Sequence, residues 1–347
     1  MDSIERDDST IFSIAARRHP LIHRLASNLH ARCGASEGAR IVLGVSGGAD
    51  SLALAIGAAV LARRREIDPM VVHVHHHLRP DADDDAHHVE SVCRRLGLAV
   101  EVRDVHPACA GGNLSSAARD ARYLALADAA RESGAPFVAV AHHADDQFET
   151  ILMALCRGSE AALAGMRWAR PLTHCDQSVM LIRPLLDVSR QDCEALCEAA
   201  GVQWRMDPSN TDRSRARARL RAEVIPILEN LWPGAAGRAV GSIQSMAEAR
   251  QIIDDLLLNH FGPPAQPAWP REALAQLPPA LLSAGLRRAA LTILNQHGAD
   301  DLSRPHLDEV ALAIRDQIRR PRRFALIGGL AVIVKAHEVT LSKEEEH

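Results

Sequence analysis

Three clusters of side chains stand at spacings that could do chemistry. The first is Gly44-Val45-Ser46-Gly47-Gly48-Ala49-Asp50-Ser51, between an apolar β-branched run, Ile41 to Val45, and an almost wholly apolar stretch, Leu52 to Leu61. Glycines between a strand and a helix let the backbone turn sharply and bring its N–H groups close to a ligand. The helix adds unpaired N–H groups and the positive end of its dipole. Together these make a phosphate cradle, to which Ser46 and Ser51 add hydroxyl donors. A carboxylate there, Asp50, repels phosphate unless a cation lies between them, so the loop predicts Mg2+ bridging to pyrophosphate oxygens. The plainer alternative is a glycine-rich turn with Asp50 as helix cap.

The second cluster, Ala141-His142-His143-Ala144-Asp145-Asp146-Gln147-Phe148-Glu149-Thr150, starts at a strand end and runs into a helix. Asp145 with Glu149, or Asp146 with Glu149, puts two carboxylates on one helix face. Such a pair could hold Mg2+, a substrate ammonium group, or both. Helix capping and dipole-favoured acids are the plainer alternative. The third cluster is the alternating run Arg213, Arg215, Arg217, Arg219 and Arg221. It reads either as a solvated charge run or as phosphate contacts to RNA. Arg319-Arg320 and Arg322-Arg323 form another basic cluster. Aromatic residues are only 3%, so shape and backbone contacts, rather than base stacking, are the expected mode of RNA recognition.

Two further groups suggest metal. His73, His75, His76 and His77 include His-x-His pairs, which on a strand face one way. No later cluster stands at a suitable position apart from the carboxylates already assigned, so the stretch reads as a polar loop at a strand end. Cys193 and Cys197 share a helix face, which reads as core packing. The seven cysteines contain no Cys-x-x-Cys pair and do not form a disulfide framework. The only lysines are Lys335 and Lys343, so a Walker-type, Schiff-base or lysyl-AMP lysine is excluded from the first 334 residues.

These residues need a frame. Strands are expected at 41–45, 70–74, 99–105 and 136–141, alternating with helices at 52–61, 82–96, 115–131 and 145–157. A helix is expected at 13–33, an edge strand at 181–185 and a helix at 190–200. Alternation of strand and helix means βαβ units: a doubly wound, mostly parallel α/β sheet with ligands at the carboxyl ends of the strands. Beyond Pro226 the chain turns helical and alanine/leucine-rich, with two short strands expected around Gly328-Gly329. The organisation expected is an N-terminal helical segment, 1–37, a nucleotide domain, 38–226, and a smaller, mainly helical domain, 227–347, that binds RNA.

With 47% hydrophobic and 24% charged residues, the composition is that of a globular protein, and a net charge of −4 gives no global pull toward nucleic acid. No apolar run is long enough to span a bilayer. The acidic N-terminus lacks the order of a signal peptide, so a cytoplasmic location and no membrane partner are expected.

The string Ser-Gly-Gly-x-Asp-Ser resembles the PP-loop signature of the N-type ATP pyrophosphatases. Further segments occur in order: His75-His76-His77-Leu78-Arg79, Asn113-Leu114, Ala117 to Tyr123, the AHHADDQFET cluster, Leu155-Cys156-Arg157-Gly158-Ser159, Leu163 to Met166, Ile182 to Leu186 and Trp204 to Asn210. Across roughly residues 38 to 230 this order resembles the tRNA(Ile)-lysidine synthetase family. The resemblance implies that ATP adenylates O2 of the wobble cytidine of an isoleucine tRNA with a CAU anticodon. The ε-amine of free L-lysine then attacks C2, and AMP leaves. It implies ATP and Mg2+ at Ser46, Gly47, Gly48, Ala49, Asp50 and Ser51, with His142 beside the nucleotide. Asp146 and Glu149 would take the lysine ammonium. Arg119 or Arg122 would face its carboxylate or the α-phosphate, and Arg217 and Arg221 would contact tRNA.

There are departures. His75-His76-His77 stands where the family usually has Asp-His-Gly. At Arg215-Ala216-Arg217-Ala218 the usual aromatic and asparagine are missing. Many relatives carry an additional C-terminal domain, and this chain is expected to end before or within it. Alternatives are a thiolase-type PP-loop enzyme, whose iron–sulfur form would want Cys-x-x-Cys ligands, and a non-catalytic nucleotide-binding protein. A homodimer is an admissible assembly.

Overall fold

The computed structural model describes residues 13–77, 82–106, 114–157, 165–172, 178–205, 216–262, 267–294 and 304–343. Asp207 to Asn210, Arg213 and Arg215 lie outside them, as do Leu78-Arg79, Asn113, Gly158-Ser159 and Leu163-Ala164. Two compact units divide the chain, 1–244 and 245–347. The composition shift at 226/227 precedes this division.

In the first unit the expected single helix over 13–33 is instead a one-turn helix α1 (Ile14–Arg17) and α2 (Pro20–Ala31). Pro20 causes the break: it cannot donate a helical hydrogen bond, and it holds His19 out of the helical region, at ψ 135. Next come β1 (Ala39–Gly44), α3 (Ala49–Arg63), β2 (Ile67–His75), α4 (Ala82–Leu96), β3 (Ala99–Asp104), α5 (Leu114–Ser133), β4 (Phe137–Val140), α6 (Ala144–Arg157), β5 (Ala169–Pro171) and β6 (Met180–Ile182). The sheet order is β3-β2-β1-β4-β6-β5, and every pairing is parallel except β5 with β6.

The run expected as an edge strand at 181–185 is a correction. It forms β6, inside the sheet, and the antiparallel β5 takes the edge. Ala169-Arg170-Pro171 has no apolar alternation to announce a strand, and a proline is tolerated at an edge because no further strand needs its N–H. After Ile182, Pro184 begins a turn and ends β6 early.

One face of the sheet is covered by α2, α3, α4 and α7 (Arg190–Ala199) through Leu25, Leu52, Ile56, Val89, Leu196 and their neighbours. The other face buries Val42, Val72, Val138 and Val140 against Leu126 and Ala129 of α5. Helix α3 is apolar all round and buried nearly throughout. At Gly57 it admits Leu25: a Cβ there would stand 2.4 Å from Leu25 Cδ2. Cys193 and Cys197 are fully buried in α7, as core packing requires, and burial pushes the Cys197 thiol up to about 12. After α8 (Ala216–Arg219) the chain widens into a π-helical turn, Leu220–Val224, where Ile225 N–H reaches back to Leu220 O. Then come α9 (Ile225–Leu231) and α10 (Ala235–Phe261), the latter running from the first unit into the second.

The second unit joins α11 (Arg271–Ala275), α12 (Pro279–Ile293) and α13 (Arg304–Arg315) to a four-stranded antiparallel sheet. Its strands are β7 (Ala268–Pro270), β8 (Arg322–Ala325), β9 (Leu330–Val334) and β10 (Glu338–Lys343), in the order β7-β10-β9-β8. The two strands expected around Gly328-Gly329 are β8 and β9; β7 and β10 complete the sheet. Gly328, at φ 63, takes the left-handed conformation that the connection needs.

Arg271, 2% exposed, fastens this unit. Its guanidinium donates to the carbonyls of Ala313, Ile314, Asp316, Ile318 and Lys335 and to Asp316 Oδ1, at 2.7–3.2 Å. It thereby satisfies the orphan carbonyls at the end of α13. Arg271→Met keeps the apolar stem but strands those acceptors. It is expected to destabilise the second unit by about 3–5 kcal/mol, read as an earlier transition in urea unfolding of the whole chain. An unchanged transition would assign the arginine no structural role.

Candidate active site

The order β2-β1-β4 makes β1 the point where the chain reverses direction across the sheet. The crevice outside the carboxyl ends of β1 and β4 is where such sheets bind ligands. Register places Gly44 beside Val140, so the phosphate loop and the AHHADDQFET cluster leave the sheet side by side.

In the loop, Gly47 has φ 91, open to glycine. Gly48 caps α3 with no side-chain hydrogen bond, which leaves the helix N–H groups facing outward. Ser51 Oγ accepts from Ser46 N–H at 3.1 Å and donates to Gly48 O at 2.9 Å, locking the turn from within. From β2, the His73 ring meets Val45 O at 2.9 Å. The loop is therefore pre-shaped before any ligand arrives. Asp50 Oδ1 is buried without a hydrogen-bond partner. A buried carboxylate oxygen in that state suits a cation.

The second cluster converges on His143, 2% exposed, at the start of α6. Its ring nitrogens lie 3.5 Å from Asp50, 3.3 Å from Asp145 and 3.4 Å from Asp146. Burial alone would lower the imidazole pKa, but Asp145, Asp50 and Asp146 overcome it and push it up to about 10. The result is a buried imidazolium linking the phosphate loop to α6. Asp145 also accepts the Arg190 N–H at 2.9 Å, and Asp146 accepts the His143 backbone N–H at 3.2 Å. The latter is the reciprocal half of a helix cap.

Of the two carboxylate pairings open in the sequence, the structure assembles Asp146 with Glu149. Glu149 is fully buried, and Arg217 Nε and Arg221 Nε each lie 2.6 Å from one of its oxygens. The same guanidiniums reach Asp146 Oδ1 at 3.3 and 3.1 Å. The arginine spacing of four presents both side chains on one face, and two cations meet two carboxylates. Both arginines are thus turned inward onto the acids in this structure.

On the far side of His142 lies a cationic wall. Arg183, 3% exposed, donates from Nε to His142 Nδ1 at 3.2 Å and from Nη1 to Arg167 O at 2.7 Å. Burial, aided by Arg183, Arg122 and Arg119 and opposed by Asp146, pushes His142 down to about 3, so this ring is neutral beside its charged neighbour. Arg119, Arg122 and Arg170 stand 5.5, 5.3 and 5.6 Å from the Tyr123 ring centre. Burial would raise the Tyr123 phenol, but Arg119, Arg122 and Arg183 hold it below its ordinary value. Arg122 Nε is buried without a partner. Four guanidiniums gathered around one neutral histidine and one phenol make a positive cluster that favours an anion.

The sequence singled out Asp50, His142, Asp146, Glu149, Arg119 and Arg122, and the structure brings all of them to one crevice. Two central residues were missed. His143 adjoins the singled-out His142, and only the fold brings Asp50 to it. Arg183 lies in the noted Ile182 to Leu186 segment but reads there as part of the edge strand expected at 181–185.

A glycine phosphate loop at a switch point, faced by carboxylates from the neighbouring strand, defines a nucleotide-binding α/β protein of PP-loop type. The PP-loop domain family matches residues 21–228. A tRNA(Ile)-lysidine synthase of Deinococcus deserti is 38% identical over 300 residues, covering 85% of this chain and 51% of that protein. The corresponding protein of Bordetella pertussis is 40% identical over 228 residues, covering 64% of this chain and 70% of that one. The chain belongs to this tRNA(Ile)-lysidine synthase family of PP-loop proteins. It spans about half the length of the Deinococcus relative. A solved U34-tRNA thiolase of Methanococcus maripaludis shares the fold, with a TM-score of 0.55 at 17% identity, over 66% of this chain and 78% of that one.

The charge on His143 sets a pH signature. Its folded value of about 10 lies above the ~6.5 of an unfolded chain. Its charge therefore stabilises the fold fully below about pH 6.5, and that contribution is lost as pH rises toward 10. In His143→Gln it is absent throughout. Urea unfolding should show the largest stability gap between parent and variant near pH ~6 and a smaller gap near pH ~9. A gap that stays constant or widens with pH would mean that the ring is not held charged.

Proposed function

We propose that the chain activates the wobble cytidine of an isoleucine tRNA with ATP and then joins free L-lysine to it. The observation that carries this reading is the union, through His143, of a phosphate cradle with a buried acidic pair. Cytidine O2 attacks the α-phosphorus of ATP and pyrophosphate leaves. The ε-amine of lysine attacks C2 of the adenylated base, the C2–O bond breaks, and AMP leaves. No enzyme-bound covalent intermediate is needed, in keeping with a first unit that contains no lysine.

In this reading Ser46 to Ser51 hold the phosphates by backbone N–H groups. Mg2+ fits the orphaned Asp50 oxygen and would supply charge neutralisation between carboxylate and pyrophosphate. The arginines around His142, Arg119 and Arg122 among them, take the α-phosphate or the lysine carboxylate. Asp146 and Glu149 take the ammonium, which arrives protonated and must lose a proton before attack. Arg217 and Arg221 occupy that pair meanwhile, since a bare, fully buried Glu149 would be an uncompensated charge. An entering ammonium replaces them, and the displaced arginines become free to meet tRNA phosphates. Such substrates place the chain in the cytoplasm. The thiolase alternative draws no support from a sequence without Cys-x-x-Cys.

The test separates the two chemical steps. Single-turnover assays follow AMP attached to tRNA and lysine incorporation independently. Glu149→Gln and Asp146→Asn should slow lysine incorporation by about 10²-fold or more while adenylation survives better, so adenylated tRNA accumulates at limiting lysine. Asp50→Asn should depress adenylation itself by about 10²-fold. Equal loss of both steps in Glu149→Gln would reject the lysine pocket.

A further inference from the structure

The histidine-rich stretch at the end of β2 is not used by the proposed reaction. His75 is 5% exposed, and neither ring nitrogen makes a hydrogen bond. A buried imidazole whose nitrogens make no hydrogen bond is costly unless something fills the place of a partner. Asp83 Oδ1 lies 3.0 Å from Nε2, and Asp104 Oδ1 lies 3.8 Å from Nδ1. His77 Nε2 meets the same Asp104 oxygen at 2.8 Å. One ligand atom each from His75, His77 and Asp104 lies within 4.8 Å of the others.

The backbone adds a separate observation. His77 has φ 53, in the left-handed region that favours glycine. A histidine there folds its ring back over the strand end. The His75 and His77 ring centres stand 4.0 Å apart, and His106 stacks on the outer side of His77 at 4.8 Å. The strained conformation thus points the His77 ring at Asp104.

We propose that His75, His77 and Asp104 form a site for one divalent transition-metal ion of zinc's class. Two imidazoles and one carboxylate are the donors such an ion takes, and a tetrahedral site with bonds of ~2.0–2.1 Å sets its ligand atoms ~3.3–3.4 Å apart. The 2.8 and 3.8 Å separations at Asp104 straddle that value, and with all three ligand atoms within 4.8 Å of one another, side-chain rotation would bring the set to that spacing. Three protein ligands leave a fourth position for water or another donor. The ion would tie the ends of β2 and β3 together two residues beyond His73, which holds the phosphate loop through Val45 O.

The test uses the untagged, full-length chain freed of metal with a chelator. It is titrated with Co2+, followed by visible absorption, and with Zn2+ by calorimetry. The parent should bind one equivalent at this site, with the intense visible bands of a four- or five-coordinate cobalt ion that zinc displaces. His77→Gly and Asp104→Asn should each weaken binding by at least about tenfold. Glycine suits this backbone conformation best, so His77→Gly is expected to keep the fold, which an unchanged far-ultraviolet circular dichroism spectrum checks. Absence of a saturable equivalent in the parent, or parental affinity in both variants, would overturn the assignment.

Discussion

The site rests on a problem of buried charge. Asp50, Asp145, Asp146 and Glu149 converge at the mouth of one sheet, with Glu149 fully buried and Asp146 nearly so. Each needs a cation, and the fold supplies three: the imidazolium of His143 and the guanidiniums of Arg217 and Arg221. Glu149 and Asp146 share Arg217 and Arg221, so losing both arginines would leave the fully buried Glu149 uncompensated, a penalty larger than the worth of a surface pair. The same need makes the site receptive. On the proposed function, a magnesium ion at Asp50 and an ammonium at Glu149 are the cations such positions would take.

The sheet makes this convergence possible. Because β1 lies between β2 and β4, two loops far apart in sequence leave adjacent strand ends. A buried α3 fixes the phosphate loop from below, and α6 fixes the acids. The two histidines at the start of α6 share that setting but not a charge. His143 faces carboxylates and is protonated, while His142 faces arginines and is neutral. One dipeptide thus divides an acidic, cation-seeking side from a basic, anion-seeking one. The proposed function, which holds a triphosphate and an ammonium close together, draws on this division.

Much of this was legible in the sequence because local chemistry writes local signals. The strand–loop–helix string at Ser46 to Ser51 and the acids of α6 carry their spacing on one element each. The alternation of apolar runs gave the parallel sheet. What stayed hidden depends on long-range contact. Strand β5 has no periodicity, since an edge strand of three residues needs none. The break at Pro20 is visible once proline is weighed above the leucine spacing around it. The partners of His143 come from two separate elements. The arginine tract read as outward-facing because a run of like charges normally seeks water; the buried Glu149 overrides that preference for Arg217 and Arg221. His75 and His77 lacked a third ligand in sequence, and only the pairing of β2 with β3 brings Asp104 to them.

The measurement closest to the centre of this account is an NMR titration of the imidazole nitrogens in chain labelled at histidine, with His142→Gln and His143→Gln used for assignment. His143 is expected to remain doubly protonated from pH ~6 to above pH ~9, while His142 remains neutral over the same range. Titration of both rings near their unperturbed ~6.5 would contradict the charged hub and the division of the crevice built upon it.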